Sequence, residues 1–261
     1  MLLHFYKYQG TGNDFILIDN RKGDVSLTNE QVNLMCDRHF GIGADGLMLL
    51  EDELSFDFKM VYYNSDGNLS TMCGNGGRCI TAFAKHLGII KDKTRFIAVD
   101  GPHDSVIMED GTVSLKMNDV KNVEVGPDFF YLNTGSPHYV KIVEGVGMMN
   151  VVEEGMKVRY SERFKEEGTN VNFIERFDDY LYVRTYERGV EGETLSCGTG
   201  VTAAALAAAS VGLSTGKNSC VVKTLGGVLN VKFDRVLEQT FYNIWLEGPA
   251  QQAFKGTIEI E

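Results

Sequence analysis

Cys73-Gly74-Asn75-Gly76-Gly77-Arg78-Cys79 and Cys197-Gly198-Thr199-Gly200 open two stretches that read alike. Each begins with a Cys-Gly-x-Gly turn. Each runs into a helix-forming segment, 78–87 in the first and 201–211 in the second, and each segment stops at a glycine, Gly88 or Gly212. Glycine is a common residue just past a helix because it takes left-handed backbone without steric cost. The offset is constant: 197 − 73, 200 − 76 and 212 − 88 all give 124.

The correspondence runs outward. Gly10-Thr11-Gly12-Asn13-Asp14-Phe15 matches Asn133-Thr134-Gly135-Ser136-Pro137-His138 at offset 123, and Tyr62-Tyr63-Asn64 matches Tyr186-Glu187-Arg188 at 124. A repeat spanning nearly half of 261 residues is a duplicated domain rather than a solenoid. The halves are placed at 1–121 and 122–249. Most of the remaining sequence reads as strands. Thr112-Val113-Ser114-Leu115-Lys116-Met117 alternates strictly and Phe56-Asp57-Phe58-Lys59-Met60-Val61-Tyr62-Tyr63 in part. The stretches 180–186 and 241–246 are aromatic and β-branched. Phe177-Asp178-Asp179-Tyr180 and Glu109-Asp110-Gly111-Thr112 read as hairpin turns. Thr28-Asn29-Glu30-Gln31 is a capping box that opens a helix toward His39, and 161–167 reads as a short polar helix. The class is α+β.

Composition narrows the function. The formal charge is −11, which speaks against nucleic acid as a partner. The N-terminus lacks the basic head and apolar middle of a signal peptide. The longest small-and-apolar run, 201–213, is short of the roughly 20 residues that span a bilayer. A cytoplasmic location, without a membrane partner, is the expectation, and thiols there stay reduced. Five cysteines also form an odd set. There is no CxxC and the five histidines are scattered, so no metal site is expected. Gly10-x-Gly12 lacks the third glycine of a dinucleotide fingerprint.

A cysteine at a helix start lies beside unpaired amide N–H groups and the positive end of the helix dipole. Both stabilise its thiolate. The same N–H groups hold a carboxylate, and adjacent glycines let it approach the backbone. Each half thus offers one activated thiol beside one anion site. Inverting a stereocentre next to a carboxylate needs a base on one face and an acid on the other, which a duplicated thiol pair supplies. Cys36, Cys79 and Cys220 are read as packing.

These motifs, with Asn64-Ser65-Asp66-Gly67 and Gly41-Ile42-Gly43-Ala44-Asp45-Gly46, resemble the diaminopimelate epimerase family over nearly the whole chain. The resemblance implies two pseudo-symmetric domains, each a curved mixed β-sheet or barrel around a central helix, with the active site between them. It returns a C-terminal strand, 250–261, to the first half. It implies cofactor-independent interconversion of LL- and meso-diaminopimelate in lysine and peptidoglycan-precursor biosynthesis, by a homodimer. Cys73 and Cys197 would be the acid/base pair, and His138 and Glu187 would tune them. Gly74, Asn75, Gly198 and Thr199 would hold the reacting carboxylate, with Asn13 at the same end. Asn64, Asn170, Glu187 and Arg188 would read the distal amino-acid head.

Three positions depart from the family pattern. Ser136 stands where asparagine is usual, Gly46 where many members have glutamine, and Asn68 where serine is usual. Three alternatives stay open on the sequence. One is a racemase or epimerase of proline, hydroxyproline or histidine on the same fold. Another is a binding protein that uses the cleft without turnover. The third is a redox sensor built on the two thiols.

Overall fold

The run 203–209 carries no charged side chain, and a helix apolar on every face has to be enclosed by protein. In the computed structural model, which describes residues 1–260, this run lies in a helix buried along almost its whole length. The chain divides into two units, Met1–Leu115 with Pro249–Glu261, and Lys116–Gly248. The break comes before 121/122 because Met117 and Val120 already donate backbone hydrogen bonds to Ile244 and Phe241, both at 2.9 Å.

Unit 1 comprises β1 (Leu2–Gly10), β2 (Asn13–Asp19), α1 (Asn29–Cys36), β3 (Gly46–Glu51), β4 (Lys59–Asn64), α2 (Gly74–His86), β5 (Lys93–Ala98), β6 (Gly101–Ile107) and β7 (Val113–Lys116). Unit 2 comprises β8 (Glu124–Val125), β9 (Phe130–Asn133), β10 (Pro137–Ile142), α3 (Val151–Arg159), β11 (Asn170–Arg176), β12 (Leu181–Glu187), β13 (Gly192–Thr194), α4 (Gly198–Ser210), β14 (Ser219–Thr224), β15 (Gly227–Leu237) and β16 (Thr240–Gly248). The pairing series is the same in both. In unit 1, β1–β2 is antiparallel, β2–β3 parallel, β3–β4 antiparallel, β4–β5 parallel, and β5–β6–β7 antiparallel. In unit 2 the same order of senses runs through β9–β10, β10–β11, β11–β12, β12–β14 and β14–β15–β16. The last strand, β17 (Gln251–Glu259), pairs antiparallel with β1, as β8 pairs with β9. It therefore fills in unit 1 the place that β8 holds in unit 2. Each mixed sheet surrounds its helix: α2 packs on β1, β2, β3 and β6, and α4 on β9 to β12 and β14 to β16. Gly88 and Gly212 follow the two helices with φ of +72° and +78°.

Two local readings need correction. The first helix keeps its Thr28 capping box but ends at Cys36 rather than running to His39. The Asp37 carboxylate accepts the amides of His39 and Phe40, at 2.7 and 2.8 Å, and turns the chain. Residues 161–167 form turns, not a helix; the amides of Phe164 and Lys165 both point to the Ser161 carbonyl. The helix of this region is α3, capped by Asn150 and laced by Lys157 to Glu153 and Glu154. Gly155 in its middle hid it, since glycine weakens a helix. The packing requires that glycine, because a Cβ there would lie 2.4 Å from Tyr186 Cβ.

Asp14 ties β1 and the segment after α1 to β2. It meets Lys7 Nζ at 2.8 Å and Arg38 Nη2 at 2.7 Å. Burial alone would raise its pKa, but the hydrogen bonds and charges of Arg38 and Lys7 outweigh it and bring the value down to about 2. A carboxyl below its ordinary 3.8 contributes stability that is fully present above that pH and is lost as pH falls through about 2. Asp14→Asn should therefore cost about 2 kcal/mol at pH 7. In urea titrations the variant and the parent should converge near pH 2.

Candidate active site

Each central helix begins at a cysteine. In unit 1, Cys73 is the N-cap of α2 and its Sγ accepts the Gly76 amide at 3.2 Å. Gly76 carries no side chain where a Cβ would lie 2.4 Å from Met48 Cε. The neighbouring polar groups are oriented from two ends. Arg78 is fully buried and donates to Gly74 O, Thr11 Oγ1, Pro249 O and Asn75 Oδ1, the last at 2.9 Å. Burial lowers its pKa to about 10, so it remains a cation at neutral pH. A guanidinium only donates, so Asn75 must face it with its oxygen. Asn75 Nδ2 then points to Asn13 Oδ1 at 3.2 Å, and Asn13 Nδ2 donates to Asp45 at 2.6 Å. The Cys73 thiol reaches the same Asn13 oxygen at 3.7 Å. Asn64 is exposed at the end of β4, where the Asn64-Ser65-Asp66-Gly67 turn closes through Gly67 N–H to Asn64 O at 2.9 Å.

In unit 2, Cys197 is the N-cap of α4 and is 7% exposed. Its Sγ lies 3.4 Å from Thr199 Oγ1, and the Thr134 hydroxyl donates to the Thr199 carbonyl at 2.9 Å. Gly74 and Gly198 are the first residues of the two helices. Asn170, Arg188 and Ser136 form one cluster. Asn170 Nδ2 donates to Ser136 Oγ at 2.9 Å, the Arg188 amide donates to Asn170 Oδ1 at 2.9 Å, and Arg188 Nη2 reaches Ser136 Oγ at 3.5 Å. Glu187 accepts the Thr194 hydroxyl at 2.8 Å. His138 is fully buried on β10, with Nδ1 3.1 Å from Asn172 Nδ2. Burial first, and the Arg188 charge second, push its pKa down to about 3, so the ring is neutral. Its Nε2 has no hydrogen-bond partner among the described residues. Leaving a buried polar atom unpaired costs about 1–3 kcal/mol.

Arg78, Asn172 and Thr134 were not singled out by sequence reasoning. For Arg78 a signal existed, because a lone arginine follows five small or polar residues at a buried helix start. Cys36, Cys79 and Cys220 are buried, and burial raises all three thiols, the first two to about 12. Among the described residues, no group of three or more His, Cys, Asp or Glu side chains is arranged to hold a metal ion. No helix among them is long and apolar enough to cross a membrane.

Two like halves, each a mixed sheet around a helix that starts at a cysteine, define an epimerase-type fold. A PhzF-family phenazine biosynthesis protein from Bacillus anthracis shares it, with a TM-score of 0.77 over 100% of both chains at 13% identity. The diaminopimelate epimerase family model matches the chain twice, at residues 5–123 and 130–251. The diaminopimelate epimerase of Flavobacterium psychrophilum is 52% identical, covering 98% of this chain and 100% of its own. That of Chlorobaculum tepidum is 42% identical over 96% and 99%. The chain belongs to the diaminopimelate epimerase family.

The departures from the family pattern have structural counterparts. Asn68 Oδ1 accepts from Asn29 Nδ2 at 3.1 Å, tying the Asp66-Gly67 turn to α1. Ser136 sits inside the Asn170–Arg188 cluster, and its hydroxyl joins the two residues. Gly46 faces the β4 backbone: a Cβ there would lie 2.6 Å from both Tyr63 O and Tyr62 Cε2. The Tyr62 ring occupies the space a longer side chain would use. Gly46→Gln should therefore lower stability by about 1–3 kcal/mol through overpacking. Urea unfolding measures the loss, and turnover of the folded fraction should be unchanged.

Proposed function

We propose that this chain interconverts LL- and meso-2,6-diaminopimelate in the route to lysine and peptidoglycan precursors, with Cys73 and Cys197 as the two proton-transfer groups. The observation that carries the reading is the duplicated helix start, in which a cysteine sits at the cap of each enclosed helix. Family membership supplies the substrate. One thiolate takes the proton from Cα, forming an S–H bond and leaving the C–H pair on carbon as an enolate-like carbanion. The other thiol gives its proton to the opposite face, and the roles exchange in the reverse direction. The enolate charge lies on the substrate carboxylate, which the helix-start amides of Gly74, Asn75, Gly198 and Thr199 stabilise as oxyanion donors do. Asn13 serves the same end through an amide whose orientation is already fixed. His138 and Glu187 tune the thiols.

Asn64, Asn170, Glu187 and Arg188 receive the distal head, with Ser136 holding Asn170 and Arg188 in place. Arginine matches a carboxylate in bidentate fashion, and the amides answer both carboxylate and ammonium without net charge. On the same resemblance the enzyme works in the cytoplasm as a homodimer, a state that light scattering reads directly.

The reduced protein with LL-diaminopimelate in D2O should incorporate deuterium at one Cα with inversion. Cys73→Ser and Cys197→Ser should each lower the inversion rate at least about 10²–10⁴-fold, the range for losing a positioned acid or base. Full activity in either variant would overturn the two-thiol mechanism. Exchange with proline or histidine but not diaminopimelate would overturn the substrate. Ser136→Ala should raise KM roughly five- to tenfold with kcat little changed, as expected when a hydrogen bond worth about 1 kcal/mol is lost from binding.

A further inference from the structure

The duplication allows the two halves to be compared place by place. Phe15 on β2 pairs with Gly46 on β3, and His138 on β10 pairs with Asn170 on β11, in matching parallel ladders. Two residues further along those second strands stand Met48 and Asn172. Both lie under the start of the central helix. Met48 Cε is 2.4 Å from where a Cβ of Gly76 would be, and Asn172 Oδ1 is 2.4 Å from where a Cβ of Gly200 would be. All four side chains are fully buried. One unit thus fills this place with Phe15 and Met48, and the other fills it with His138 and Asn172. The fold itself is met by the apolar pair, and burying polar groups is costly unless each is satisfied.

The polar pair is satisfied in a directed way. Thr185 Oγ1 donates to Asn172 Oδ1 at 3.0 Å, which sets that end of the amide as the acceptor. Asn172 Nδ2 donates one hydrogen to the Tyr139 carbonyl at 3.0 Å, and its other hydrogen faces His138 Nδ1 at 3.1 Å. A nitrogen that accepts carries no proton, so the proton of the neutral ring is on Nε2. That is the atom with no partner among the described residues.

We propose that Asn172, set by Thr185 and Tyr139, is a positioning residue that holds His138 as the neutral Nε2–H tautomer, so that Nε2 presents one fixed donor to an anionic acceptor during proton transfer. The acceptor is a thiolate or the carboxylate of the substrate; both need a donor and neither can supply one. The catalytic part of this proposal rests on the two-thiol reading, and the tautomer part does not.

The test uses full-length reduced protein labelled with ¹⁵N-histidine, without substrate, in long-range ¹H–¹⁵N spectra from pH 5 to 9. The His138 signals are assigned by their loss in His138→Phe/Asn172→Met, the variant that copies the apolar pair of unit 1. Parent His138 should show a bare Nδ1 and a protonated Nε2 throughout. A proton on Nδ1, or a charged ring at pH 7, would overturn the proposal. Asn172→Met should release the tautomer, and Asn172→Asp should draw a proton to Nδ1. With diaminopimelate, Asn172→Met should lose roughly tenfold or more in kcat with KM within about twofold, and Asn172→Asp should add an ionisation to the pH–rate profile. Unchanged spectra in both variants would overturn the positioning role, and altered spectra with unchanged kcat would overturn its catalytic use. If neither folds, Thr185→Val removes only the anchoring hydroxyl and is read in the same two ways. Because the spectra need no turnover, failure of the diaminopimelate reading would show separately, as absent deuterium exchange beside a correctly held ring.

Discussion

The Gly76 amide donates to Cys73 Sγ at 3.2 Å, and that contact states the constraint on which the molecule is built. A helix that starts inside a sheet brings unpaired amide N–H groups into a place where water cannot satisfy them. At α2 the Cys73 sulfur is the group that accepts. A sulfur that accepts there is at the same time a sulfur whose anion is favoured, and the neighbouring amides are ready for a carboxylate. Under the two-thiol mechanism proposed above, the requirement of folding and the requirement of proton abstraction fall on the same few atoms. Gly76 and Gly200, having no side chains, let Met48 and Asn172 pack closely against the two helix starts.

Around that start, the polar side chains are held in single orientations by chains of donors and acceptors. In unit 1 the chain runs from the buried Arg78 through Asn75 and Asn13 to Asp45. In unit 2 it runs from Thr185 through Asn172 to His138. Fixed dipoles of this kind need no reorganisation when charge develops, which is the main source of catalytic stabilisation in a buried site. The two chains use different residues. The two halves thus share the cysteine-capped helix start and differ in the side chains arranged around it.

The repeat and both cysteine caps were legible because they rest on local rules: a constant offset, a Cys-Gly-x-Gly turn, and a glycine stop. Strand stretches such as 180–186 were legible from their side-chain types. Helix α3 was not, because Gly155 reads as a breaker until Tyr186 is seen packed against it. Segment 161–167 misled in the other direction, since polar composition fits a turn as well as a helix. Of the candidate site, Cys73 and Cys197 stood out through their Cys-Gly-x-Gly turns, and Asn13 and Asn75 entered through the family resemblance. Arg78, Thr134 and Asn172 did not, because their importance lies in which way a neighbouring amide or carbonyl faces.

By itself, then, the sequence determined that the chain is a duplicated α+β protein with one cysteine at the start of each central helix, since periodicity, capping and glycine stops act over a few neighbouring residues. Tertiary structure alone decided that Gly46 yields its space to Tyr62 and that Ser136 joins Asn170 to Arg188. It alone brought the Asn172 amide to within 3.1 Å of His138 Nδ1. Each of these depends on atoms brought together from distant parts of the chain, and the direction of a hydrogen bond or the room for a side chain exists only once both partners are in place.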